Sequence, residues 1–165
     1  MVCDQEFLSE EMRRMLNDPE DYIRRKNAKI IQNNFKNKIV YVEIGKIRAI
    51  IKIHNYKSLW HKIKRYFRRT RASRSWHYSV LFNENGIRTP RPIAYKETRI
   101  GPLRGDSYFI YEWVDGINGE QYFLNNRKDV EKIKKAITSI LEITEKIKNL
   151  GLIHGDIRLK NMVFR

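Results

Sequence analysis

The last fourteen residues, Leu152-Ile-His-Gly-Asp-Ile-Arg-Leu-Lys-Asn-Met-Val-Phe-Arg165, constrain the fold more than any other stretch. A short apolar run (Leu152, Ile153) meets a polar knot of His154, Gly155 and Asp156. Arg158, Lys160 and Asn161 follow, and then a second apolar run, Met162 to Phe164. Short apolar runs on either side of a polar segment bury best as strand ends, so two short buried strands are expected to hold the loop between them. The blander form of the same pattern is a buried helix-to-strand turn in which Asp156 is only a cap. The rest of the chain has to choose between them.

With 165 residues the chain can build one domain with a real core, or one and a half small lobes. A hydrophobic fraction of 41% excludes wholesale disorder. No apolar run approaches the ~20 residues that span a bilayer as a helix. The N-terminus, Met-Val-Cys-Asp-Gln-Glu, has no signal-peptide core. Cys3 is the single cysteine, which excludes an internal disulfide and points to a reducing, cytoplasmic setting. The formal charge of +15 calls for an anionic partner: nucleic acid, an acidic membrane surface or a phosphorylated glycolipid.

Phe7, Leu8, Met12, Met15 and Leu16 share one face of an amphipathic helix within residues 4–17. Asp18 and Pro19 then read as an N-cap and first helical residue, opening a short helix that holds Tyr22 and Ile23. Residues 28–54 read as β: a first strand at Ile30 and Ile31, then a hairpin of Lys38–Ile44 and Ile47–Ile53 around Gly45-Lys46, with a type II′ turn. Lys52 interrupts the apolar end of the second arm. Residues 57–75 are densely basic (Lys57, Lys62, Lys64, Arg65, Arg68, Arg69, Arg71, Arg74) with aromatics interleaved and no acid. Like charges this close repel unless an anion neutralises them, so Lys62, Lys64, Arg65, Arg68 and Arg69 are candidate contacts to an anionic substrate or membrane.

A helix from Ala72 to Asn85 is expected to put Trp76, Val80, Leu81 and Phe82 in the core, with Gly86 as its C-cap. The prolines of Gly-Ile-Arg-Thr-Pro-Arg-Pro (86–92) force an extended path into a strand. Residues 100–106 read as a loop, and Ser107–Val114 as a strand running to a turn at Asp115-Gly116. Val130, Ile133, Ile137, Ile140, Leu141 and Ile147 lie at helical spacing within 127–149 and are read as a core face. His54, His61 and His77 lack the paired spacing of a zinc site.

Taken together, these motifs resemble the kinase-like superfamily. Ala49-Ile-Ile-Lys52 is similar to the kinase strand whose lysine binds nucleotide phosphates. Tyr111, Glu112 and Val114 are similar to a gatekeeper and hinge, and His154-Gly-Asp156 through Asn161 to a catalytic loop. Arg71–Trp76, Asn85–Ala94 and Ser107–Glu112 resemble the bacterial lipopolysaccharide core kinases (Kdo/WaaP, InaA-like) over roughly residues 28–165. That resemblance implies an α+β, protein-kinase-like fold. It would comprise a helical extension (1–27), a sheet lobe with helix C and hinge (28–116) and the start of a mainly helical lobe (117–165). It implies ATP and Mg²⁺ as cofactors and phosphoryl transfer to a heptose or Kdo hydroxyl of lipid A–core. It also implies work at the cytoplasmic face of a membrane, with peripheral contact to anionic lipid. By position, Lys52 binds phosphates, the backbone of Glu112 and Val114 frames adenine, Asp156 is the base, Arg158 steadies the γ-phosphoryl and Asn161 binds Mg²⁺.

The chain departs from the pattern in three places. No glycine-rich phosphate loop stands between residues 28 and 45. Ser75 occupies the place of the helix-C glutamate. The second metal-binding aspartate, expected about a dozen residues beyond the loop, is absent from the chain. The expectation is therefore a truncated kinase with little or no activity. The alternatives are a non-catalytic basic domain that binds nucleic acid, and a protein kinase of the RIO/Bud32 type.

Overall fold

The structure is a computed structural model that describes residues 1–34, 37–54, 69–100, 103–153, 155 and 157–165. The described chain divides into two compact units, Met1–Leu81 with Pro90–Trp113, and Phe82–Thr89 with Val114–Arg165. The architecture is α+β.

The first unit is a six-stranded antiparallel sheet. Its strands are β1 (Val2–Cys3), β2 (Lys29–Asn33), β3 (Asn37–Ile44), β4 (Ile47–His54), β5 (Pro92–Ile100) and β6 (Leu103–Glu112), laid in the order β1-β5-β6-β4-β3-β2. The β3–β4 hairpin turns on Gly45, at φ +61°, while Lys46 keeps a negative φ, as a type II′ turn requires. Alternation along the strands then gives the sheet two faces. One face presents Val40, Val42, Ile44, Ala49, Ile51, Ile53 and Ile110 to the helices α1 (Glu10–Asn17) and α2 (Pro19–Arg25), and all of these residues are buried. The other carries Lys52 and His54.

The helices form where their caps allow. Ser9 Oγ accepts the amide of Met12, and Asp18 accepts that of Asp21 with Pro19 in the first turn. Met12 and Met15 are fully buried and Leu16 almost so, in the same core as the sheet strands. Each contributes roughly 1.5–3 kcal/mol by burial. The N-terminal segment is therefore an integral layer of this unit. Its first residues also add a strand, since β1 pairs with β5, and Arg91 reaches Asp4 at 3.0 Å, Glu6, and the ring of Phe7.

Strands occupy more of residues 100–106 than expected. β5 runs to Ile100 and β6 begins at Leu103, so Gly105 is a strand glycine, where a Cβ would stand 2.4 Å from Thr98 Oγ1. Helix α3 (Arg71–Glu84) buries only Ala72 fully. Trp76, Val80, Leu81 and Phe82 are half-buried, with Trp76 against Tyr95 at 5.9 Å. Their shallow burial follows from the place of α3 on the polar face of the sheet.

In the second unit α3 ends as expected. Gly86 takes φ +64°, its amide bonds Asn83 O and that of Ile87 bonds Phe82 O. Two short strands, β7 (Ile117–Asn118) and β8 (Val163–Phe164), pair antiparallel. Helix α4 (Gly119–Asn125) and helix α5 (Val130–Asn149, capped by Asp129) complete the unit with a 3₁₀ turn at Leu159–Asn161. Ala136 and Ile147 are the buried residues of α5, whereas Val130, Ile137 and Leu141 are exposed. Helical spacing identifies a helix, but its apolar stripe is wider than the surface the described residues cover. Nor is Leu152-Ile153 a buried strand: Ile153 is 96% exposed.

Candidate functional site

Lys52 lies on β4, half-buried, with Ile39 of β3 and Phe109 of β6 as its register partners. Two residues on, and so on the same face, His54 is buried. Its Nδ1 is 2.7 Å from Asn37 Oδ1. Burial, with the positive charges of Lys52, Arg71 and Arg74 nearby, pushes its imidazole down to about 4. A polar row crosses the sheet here: Asn37, His54, Ser107 and Glu97 are successive register partners on β3, β4, β6 and β5. Thr70, the cap of α3, donates to Glu97 at 2.5 Å and accepts the amide of Ser73. His54 Nε2 and Ser107 Oγ are buried with no hydrogen-bond partner among the described residues. Sequence reading missed this row, because four residues scattered over seventy positions come together only through strand register.

Helix α3 brings cations towards this face rather than a carboxylate. Arg71 and Arg74 are in its first turns, Ser75 is half-buried, and its sole acid, Glu84, is the last residue. At the far end of β6, Tyr111 lies between Ile50 and Pro92, and burial pushes its phenol up to about 12. Glu112 closes the strand opposite Ala49, and its amide donates to Arg91 O at 2.9 Å. Trp113 donates likewise to Arg48 O. The Glu112 amide is thus committed within the sheet. Val114 opens the second unit and is half-buried.

In the second unit Arg158 caps the 3₁₀ turn and Asn161 ends it, both with exposed side chains, and the Asn161 amide donates to Arg158 O at 2.9 Å. The Met162 carbonyl accepts from Gly119 at 3.0 Å. Asp156, His154, Lys62, Lys64, Arg65 and Arg68 lie outside the described residues. Arg69 is exposed, directly before Thr70. The structure thus groups Lys52 with His54, Arg71 and Arg74 in one unit, and Arg158 with Asn161 in the other.

The lipopolysaccharide kinase (Kdo/WaaP) family model matches residues 23–165. The chain belongs to that family. Its protein-kinase-like fold and its kinase character by resemblance follow from this membership. Among solved structures, one described as WaaP in complex with acyl carrier protein is similar at 18% identity and a TM-score of 0.48, covering 79% of this chain and 48% of that one. The chain therefore spans about half the length of that structure. No curated protein matches. Residues 1–22, which include Met12, Met15 and Leu16 of the core, precede the family match.

Proposed function

We propose that this protein is a lipopolysaccharide core kinase that transfers the γ-phosphoryl group of ATP to a sugar hydroxyl, of heptose or Kdo, on lipid A–core. The family match is the observation that carries this reading. Lys52, on the polar face of the sheet, is the residue proposed for the α- and β-phosphates. The backbone of Glu112 and Val114 is proposed to frame adenine. Asp156 would accept the proton of the acceptor hydroxyl as its oxygen bonds the γ-phosphorus. The bond from that phosphorus to the β,γ-bridging oxygen breaks, and ADP leaves with the electron pair. Arg158 would balance charge on the transferring group.

Among the described residues no group of three His, Cys, Asp or Glu side chains could hold a metal alone. A Mg²⁺ ion would instead be held by Asn161 together with phosphate oxygens and water, the manner in which Mg²⁺ is commonly held beside nucleotides. It would neutralise charge on the phosphates. The charge of +15 suits an anionic glycolipid, and we propose that Lys62, Lys64, Arg65, Arg68 and Arg69 contact it or an anionic membrane at its cytoplasmic face. No helix among the described residues is long and apolar enough to cross a membrane.

Calorimetry of ATP binding, with and without Mg²⁺, tests the nucleotide half of this proposal. Mg²⁺-enhanced binding that is lost in Lys52→Ala is expected. Binding indifferent to Lys52 would refute the assignment.

A further inference from the structure

The segment that follows β6 carries two glycines, Gly116 and Gly119, and both lie against another stretch of backbone. A Cβ on Gly119 would stand 2.4 Å from the carbonyl oxygen of Leu159 and 3.1 Å from its Cα. A Cβ on Gly116 would stand 2.5 Å from the carbonyl oxygen of Phe164, and Gly116 holds φ +148°. No side chain fits either position unless the chain opposite moves. For Gly119 that opposite chain is the turn that carries Asn161, and for Gly116 it is β8, just beyond the turn.

The contacts bracket Asn161 on both sides. Leu159, two residues before it, lies against Gly119, and Met162, directly after it, accepts the Gly119 amide at 3.0 Å. Beyond Met162, Val163 and Phe164 pair with Asn118 and Ile117. The ring of Phe164 stacks on Tyr122 at 4.5 Å and meets Phe123 edge-on at 5.9 Å. The Asn161 backbone amide is committed to Arg158 O, and the backbone of the turn sets the direction in which the Asn161 side chain leaves it. Strand pairing and ring stacking fix the backbone that sets this direction, and the missing Cβ at residue 119 permits it.

From this geometry we infer that Gly119 is a positioning residue for Asn161. By leaving room for the Leu159 carbonyl and donating to Met162, it aims the Asn161 amide at the metal–phosphate group. The inference rests on the kinase reading, in which Asn161 is a magnesium ligand. It adds a specific requirement to that reading: any side chain at residue 119 displaces the ligand without touching nucleotide.

The test is calorimetric ATP binding across a Mg²⁺ series on the full chain and its variants. Gly119→Ala is expected to raise the Mg²⁺ needed for half-maximal enhancement by roughly ten-fold or more, the usual cost of disturbing the support of a metal ligand. ATP binding without metal should stay as it was. Gly86→Ala is the control for general loosening. It lies in the same unit at φ +64°, with nothing within 4 Å of its would-be Cβ, so it strains a helix end far in sequence from the turn. An equal shift in Gly86→Ala, or an unmoved Mg²⁺ requirement in folded Gly119→Ala, would overturn the inference. If Gly119→Ala loses its circular dichroism, Phe164→Leu takes its place, since it removes the ring stack and keeps both glycines. It should move the Mg²⁺ requirement in the same direction by less, and no movement would overturn the inference equally. Metal-indifferent ATP binding by the unaltered chain would overturn the kinase reading, and this inference with it.

Discussion

Acidifying this protein from pH 7 to pH 5 should cost it stability through one residue, His54. The imidazole is 5% exposed, bonded to Asn37, beside the buried Ser107 hydroxyl, and near the charges of Lys52, Arg71 and Arg74. Its folded pKa of about 4 lies below the ordinary 6.5. Above pH 6.5 both folded and unfolded chains hold it neutral, and its full stability is present. As pH falls below 6.5 the unfolded chain takes a proton that the folded one refuses, and the loss grows until the folded group titrates near 4. Those two values give a loss of about 2 kcal/mol at pH 5 and a limit of about 3 kcal/mol. For a chain of this size that lowers the melting midpoint by roughly 4–8 °C at pH 5. Carboxylates titrate in the same window, so the comparison is with His54→Gln, which has no imidazole. The midpoint of the variant should fall less than that of the parent between pH 7 and pH 5, by that amount. Nitrogen chemical shifts of the His54 ring should stay those of a neutral imidazole down to pH 5. Parallel falls in the two proteins, or a His54 ring that charges near pH 6.5, would refute the reasoning.

Met15→Ala removes a fully buried side chain from the shared core and should cost about 2–5 kcal/mol, read as a lower urea midpoint at unchanged slope. A cost near zero would mean that the N-terminal helices are a detachable appendage. Gly105→Ala should lose about 1–3 kcal/mol by pushing Thr98 aside, and Thr98→Ala in the same chain should recover most of it. A double variant no more stable than Gly105→Ala alone would place the strain elsewhere. Arg91→Ala should release the N-terminal strand, seen as faster hydrogen exchange at the Asp4 amide, which donates to Ile93 O. Unchanged exchange there would show that β1 pairing holds without the arginine.

What could be read from the sequence was local. Asp18-Pro19 starts a helix, Gly86 stops one and Gly45 turns a hairpin because each uses chemistry held within four or five residues. Lys52 could be placed on a strand for the same reason. What could not be read was set by register and by neighbours distant in sequence. The Asn37–His54–Ser107–Glu97 row exists only after four strands align. Gly105 is a strand glycine because Thr98 is opposite it, and Gly119 is needed because Leu159 comes close. In sequence both look like ordinary loop glycines. Val130 and Leu141 carried the right period for a core and are exposed, since period reports helical form and not what covers the helix. The pair of glycines in Gly116-Ile-Asn-Gly119, directly after a strand, was the signal available for the seat of Asn161.

Transfer of label from [γ-³²P]ATP to deacylated lipid A–core oligosaccharide tests the central claim most directly. With Mg²⁺ present, the account predicts an alkali-stable, phosphatase-sensitive phosphate on the sugar. Asp156→Asn should lower its rate by about 10²–10⁴-fold, the usual worth of a positioned general base. Transfer undiminished in Asp156→Asn, or label found on the protein and none on the sugar, would contradict it.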